Sequence, residues 1–268
     1  RANKGAPGID GMTVEDALPW LREHREELLE SIRQGKYKPQ PVRRKEIPKP
    51  DGGVRKLGIP TVIDRIIQQA IAQQLVPIYE PLFSDDSYGY RPNRSAQQAI
   101  QKVKWYAEQG YTSAVLVDLS KYFDTLNHEL LMNLLRKNIH DKRGIELIKR
   151  YLKAGVMENG LLGKTTEGSP QGGPLSPLLA NIVLNELDWH IESQWGENPL
   201  AYKWKGGVAP NGTFSKGSSF REMRKTNLKE LHIIRYADDV RILCATKEEA
   251  DRTLYGVAEW LKKRLDLD

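Results

Sequence analysis

Two carboxylates in immediate succession, Asp238 and Asp239, stand between the apolar runs Leu231-His-Ile-Ile-Arg235 and Val240-Arg-Ile-Leu-Cys244. A third, Asp118, closes the run Ser113-Ala-Val-Leu-Val117 far earlier in the chain. Neighbouring acids repel, and a tight turn between strands leaves them little room to separate. A solvated Asp-Asp turn is the commoner occupant of such a position. The sharper alternative is a site for hard divalent cations, which take carboxylate oxygens. Two such ions, roughly 3.5–4 Å apart, can serve the attacking and the leaving oxygen of a phosphoryl transfer.

Other residues suit a phosphate-bearing substrate. Leu119, Ser120, Lys121 and Tyr122 follow Asp118, and a strand that ends and turns there frees backbone N–H groups to face phosphate oxygens. Lys49 and Arg55 flank the turn Asp51-Gly52-Gly53 and could clamp the same phosphates. Gly168-Ser-Pro-Gln-Gly-Gly173 permits close backbone approach, with Gln171 as a neutral hydrogen-bonding side chain. Net charge is +6, unevenly spread. Residues 33–56 hold nine Lys/Arg, including Arg43, Arg44 and Lys45, against two acids. Residues 201–231 hold seven, including Lys203, Lys205, Arg224 and Lys225, again against two. A solvated charged surface is the ordinary meaning of such runs; nucleic-acid phosphate is the alternative.

The elements that must position these groups follow from local pattern. Thr13, Thr61 and Thr246, each followed three residues later by Asp or Glu, cap helices; the first places Leu18, Leu21, Leu28 and Ile32 near one face. Strands near 42–48 and 54–58 make a basic hairpin. The run 113–117 reads as a buried strand, 127–137 and 142–153 as helices, and 155–167 as a hairpin around Asn159-Gly160. A helix covers about 175–193, and 196–219 reads as a long exposed insertion. Strands 231–235 and 240–244 flank the acidic turn, and a last helix reaches about 265. His128 reads as an exposed helix-start residue. The order after 111 fits a split βαβ sheet covered by helices on one face. With 268 residues, 39% hydrophobic and 28% charged, the composition is that of a soluble globular protein. No apolar run approaches the roughly 20 residues that span a bilayer, so no membrane partner is expected. The single Cys244 excludes an internal disulfide or zinc cluster and fits a reducing compartment. The start shows neither a signal peptide nor an initiator Met, which reads as a fragment of a longer chain.

Four motifs in order resemble those of reverse transcriptases: Ile47-Pro-Lys-Pro-Asp-Gly-Gly-Val-Arg55, Val117-Asp-Leu-Ser-Lys-Tyr-Phe-Asp124, Ser169-Pro-Gln-Gly-Gly-Pro-Leu-Ser-Pro177 and Tyr236-Ala-Asp-Asp239. Gly5-Ala-Pro-Gly-Ile-Asp-Gly11 and Tyr88-Gly-Tyr-Arg-Pro92 bring the resemblance nearest to the enzymes encoded by bacterial group II introns.

The resemblance implies an α+β fold, the fingers and palm of a right-hand polymerase. Fingers would occupy 1–88 and 126–172, palm 89–125 and 173–268, with thumb and splicing domain absent. It implies that Asp118, Asp238 and Asp239, with the Leu119 carbonyl, hold two Mg²⁺, Mn²⁺ being an alternative. Lys49, Arg55 and the main chain of Leu119 through Tyr122 would take the triphosphate. Phe123 would exclude a ribose 2′-OH, and Gln171 would lie near the sugar and template base. Gly172, Tyr236 and Ala237 would lie by primer and template. Implied partners are an RNA template, a DNA primer, dNTPs and group II intron RNA, in a ribonucleoprotein of the bacterial cytoplasm. The basic segments would contact that RNA. The competing function is a splicing cofactor, or maturase, for which polymerisation is secondary. Exposed apolar positions leave a homodimer open.

Overall fold

Helix α1 (Val14–Arg33) starts where Thr13 and Asp16 close a capping box, the Thr13 N–H donating to Asp16 Oδ2 at 2.9 Å. Thr61 opens α2 (Val62–Tyr79) by accepting from the Asp64 N–H at 3.1 Å. These caps act in a computed structural model that describes residues 5–48, 52–203 and 215–267. The chain forms two compact units, Arg1–Pro81 with Lys121–Ile182, and Leu82–Ser120 with Val183–Asp268.

In the first unit, Leu21, Leu28 and Ile32 of α1 pack with Ile63 and Ile67 of α2 and with Tyr151. Leu18, expected on that stripe, stays 48% exposed, and Trp20 takes the inward place. Strands β1 (Val42–Pro48) and β2 (Val54–Ile59) form the expected antiparallel hairpin, in register from Arg43↔Ile59 to Pro48↔Val54.

Helix α3 (Ala96–Glu108) and strand β3 (Ser113–Asp118) belong to the second unit. The chain then returns to the first through α4 (Tyr122–Thr125), α5 (His128–Asn138) and α6 (Lys142–Lys153). Strands β4 (Val156–Glu158) and β5 (Leu161–Gly163) complete the second expected hairpin. Its parallel attachment to β1 through Val42↔Val156 was not expected, and it makes one sheet of order β2-β1-β4-β5.

Helix α7 (Ser176–Glu192) is followed by a 3₁₀ turn (Pro199–Tyr202) and α8 (Gly217–Met223). Of the stretch expected to be an exposed insertion, 196–219, residues 204–214 lie outside the described residues, but Leu200 and Ala201 are not exposed: they pack with Trp195, Phe220, Met223 and Leu228, which flank the stretch. Apolar residues this widely spaced show no periodicity, which is why the stretch reads as loop.

Strands β6 (His232–Tyr236) and β7 (Asp239–Cys244) join β3 in an antiparallel sheet of order β3-β7-β6. Central β7 buries Val240 and Ile242 completely. Strand β3 lies at the edge and buries only Val115 in its span, with Leu116 63% exposed, so it is not the buried strand its composition suggests. Helix α9 (Lys247–Leu265) packs on β3 and β7, Thr253 lying against Cys244. Side chains alternate across a strand, so Ile234 and Leu243 point to the other face. There they meet Ala99 and Tyr106 of α3. The expected antiparallel α+β layer is thus present, and α3 adds cover on the face opposite α9. No helix among the described residues is long and apolar enough to cross a membrane.

Candidate active site

Antiparallel pairing of β3 with β7 makes Asp118 and Asp239 Cα partners. Tyr236 pairs with Asp239 across β6–β7, which leaves Ala237 and Asp238 as a two-residue turn. Ala237 has φ +58°, in the left-handed region. Asp118 and Asp239 are exposed, and Asp238 is half-buried. Like charges directly opposite on a sheet are unfavourable, so the register concentrates negative potential at one strand end. Arg241 ion-pairs with the Asp239 carboxylate and offsets part of it. Among the described residues, no three acidic, histidine or cysteine side chains enclose a metal position. Mg²⁺ takes hard oxygen donors, of which Asp118, Asp238 and Asp239 offer carboxylates. The donor set of hard oxygens at an open strand end fits such an ion.

The first unit contains a cavity of about 610 Å³ lined by Phe123, Gln171, Arg44, Lys56 and the β4–β5 hairpin. The Gly58 N–H donates to the Gln171 carbonyl at 2.8 Å, which ties the Gln171–Gly172 loop to β2. Gly172 sits at φ +126°, and a Cβ there would lie 2.8 Å from the Gly58 carbonyl oxygen. No other residue fits without moving the loop. Phe123 is half-buried beside buried Tyr122, whose hydroxyl donates to the Ala180 carbonyl at 2.7 Å. Lys121 is exposed with φ +49°, and Arg55 is exposed on β2. In the second unit, Leu119 is buried and Ser120 exposed.

Residues 47–266 match the family model described as reverse transcriptase (RNA-dependent DNA polymerase). The chain belongs to the reverse transcriptase family. It is 38% identical to Protein YkfC of Escherichia coli (strain K12), over 100% of this chain and 72% of that protein. It is 41% identical to group II intron-encoded protein LtrA of Lactococcus lactis, over 70% of this chain and 31% of that protein. The match to LtrA therefore spans under a third of that relative's length. An apo telomerase from Candida tropicalis, truncated from its C-terminal domain, shares the fold at TM-score 0.55 and 14% identity. That match covers 85% of this chain and 48% of the telomerase.

In this reverse-transcriptase chain the basic residues differ in their surroundings. Arg43 donates twice to the Pro7 carbonyl, at 3.0 and 2.7 Å, and Arg44 donates to the Lys56 carbonyl at 3.4 Å. Arg224 grips Glu230 with two bonds of 2.8 Å, and this pairing raises its pKa; Lys225 pairs with Glu222. Lys45 and Lys203 are exposed, while Lys49 and Lys205 lie outside the described residues. His128 is buried, not exposed: its Nε2–H donates to the Gly168 carbonyl at 2.6 Å, and burial lowers its pKa. Sequence reading overlooked Arg235 and Asp188, both almost completely buried and ion-paired. An arginine inside an apolar strand was the available signal.

Proposed function

We propose that this chain carries out RNA-templated DNA synthesis, transferring dNTPs onto a primer 3′ end. The reading rests on the register that sets Asp118 opposite Asp239, beside Asp238, in a chain of the reverse transcriptase family. Asp118, Asp238 and Asp239, with the Leu119 carbonyl, would hold two divalent ions, Mg²⁺ or Mn²⁺, which when bound would activate the 3′-hydroxyl and neutralise departing pyrophosphate. The remaining work belongs to the protein. Lys49, Arg55 and the main chain of Leu119 through Tyr122 would hold the triphosphate. Phe123 would collide with a 2′-hydroxyl and so select deoxyribose. Gln171 would hydrogen-bond near the sugar, and Gly172, Tyr236 and Ala237 would border primer and template. Catalysis of this kind depends on positioning and charge neutralisation, with no covalent enzyme intermediate. Primer extension on an RNA template, with Asp238→Ala and Asp239→Ala combined, tests the assignment; undiminished synthesis would sink it.

Similarity to LtrA, a group II intron-encoded protein, favours intron RNA as a partner, in a ribonucleoprotein. A maturase role is the second reading, favoured by kinship to an Arabidopsis thaliana protein named nuclear intron maturase 2. Binding to structured intron RNA, compared with unstructured RNA of equal length across a salt series, separates specific recognition from plain phosphate attraction.

A further inference from the structure

The Arg235 side chain is 0% exposed, next to the end of strand β6. Burying an ion pair is costly, and such a pair is weak evidence for stability in itself. What Arg235 does is join three parts of the second unit. Its Nε and Nη2 donate to Asp188 of α7 at 2.8 and 2.7 Å. Nη2 also donates to Ser87 Oγ at 2.8 Å, and Nη1 donates to the Ala237 carbonyl at 2.8 Å. The last bond falls on the turn that presents Asp238.

That turn needs support, because Ala237 has φ +58°, where a residue with a Cβ rarely rests. Tyr88-Gly-Tyr-Arg91 supplies it from the other side. The Arg235 N–H donates to the Asp86 carbonyl at 2.9 Å, and the Tyr88 N–H to the Arg235 carbonyl at 2.8 Å. Gly89 then passes so close that a Cβ on it would lie 2.2 Å from the Ala237 nitrogen. Arg91, also buried, braces this segment by donating to the Ser87 carbonyl at 2.8 Å.

We propose that Arg235, locked in place by Asp188, is a positioning residue that fixes the Ala237–Asp238 turn and thereby the Asp238 carboxylate. Lysine in its place keeps the charge for Asp188 but cannot also reach Ser87 and Ala237 in a planar fork. The role rests on the polymerase reading of the aspartates.

The test uses the full chain with Arg235→Lys, Ser87→Ala and, as reference, Asp118→Asn. Mn²⁺ dissociation constants are read by paramagnetic resonance, alongside kcat, the KM for dNTP and thermal melting. Loss of an outer support around a metal site costs about 10–100-fold in metal affinity or activity. Arg235→Lys is therefore expected to weaken Mn²⁺ binding and lower kcat by about that range, with the dNTP KM within about twofold of wild type. Ser87→Ala, which removes one contact, moves both in the same direction by less than that range. Wild-type Mn²⁺ affinity in Arg235→Lys, or a dNTP KM rising in step with it, overturns the role. Should Arg235→Lys fail to fold, Ser87→Ala decides, and unchanged Mn²⁺ affinity there overturns it equally. If Asp118→Asn alone keeps full extension and Mn²⁺ affinity, the site reading itself falls, and this role with it.

Discussion

Asp118 and Asp239 face each other as Cα partners on the last rung of the β3–β7 ladder. Two carboxylates set opposite one another work against folding and in favour of a cation. Function and stability should therefore part company at this rung. Asp118→Asn removes one of the facing charges, so the metal-free protein should melt no lower than wild type, with a gain of about 0.2–1 kcal/mol at most. Its primer extension should fall by about 10²–10³-fold, as when a transition-state charge partner is removed. Melting curves in chelator, paired with extension assays, check both halves. Joint loss of stability and activity would mean that Asp118 is merely structural.

Phe123 lines the cavity of about 610 Å³ that also holds Gln171, Arg44 and Lys56. A ring on that wall can reject an extra hydroxyl by volume alone. Phe123→Ala should lower the preference for dNTP over the matching NTP by about 10–200-fold, the range one shape-selective contact supplies. Competition between dNTP and NTP in single-nucleotide extension measures it. An unchanged ratio removes Phe123 from sugar selection.

Glu192 makes stability depend on pH. Burial, with Asp86, Asp188 and Glu197 nearby, pushes its carboxyl up to about 7, although a hydrogen bond donated by Ser84 opposes the rise. The folded protein keeps this proton where the unfolded chain, titrating near 4.5, has lost it. Below the unfolded value the two states bind the proton alike. As pH rises from there to about 7 the unfolded state is progressively favoured, and beyond that the loss is constant. Glu192→Gln should thus melt higher than wild type at pH 8, with the advantage shrinking toward pH 5. Parallel melting curves that keep a constant gap across that range contradict the assignment.

Much of this was legible because it is local. The threonine caps at Thr13, Thr61 and Thr246, the β1–β2 hairpin and the strands around the acidic pair each follow from short-range pattern. What escaped depends on partners distant in sequence. Two rungs, Val42↔Val156 and Arg43↔Met157, join the two hairpins, and nothing near either strand announces them. The packing around Ala201 needs Trp195 and Met223, on either side of the expected insertion, to meet, which no period reveals. Burial of His128 depends on a carbonyl at Gly168. Helix α3 was a different omission: Ser95 and Gln98 form a capping box in plain view, ahead of a polar, glutamine-rich first turn.

The basic strand β1 offers a comparison between neighbours that differ in freedom. Lys45 is exposed, whereas Arg43 already spends two hydrogen bonds on the Pro7 carbonyl. A cation that neutralises a phosphate releases counterions, so its removal lowers the slope of log K against log salt by about 0.7–0.9. Lys45→Ala should show that loss of slope on RNA without changing the melting temperature. Arg43→Ala should instead leave the slope nearly intact and lower stability by about 1–3 kcal/mol, the cost of leaving a partly buried acceptor without its donor. Salt titrations of RNA binding, run beside denaturant curves for both variants, separate the two. Equal slope losses would show that Arg43 abandons Pro7 for the nucleic acid, and that the N-terminal segment yields when RNA binds.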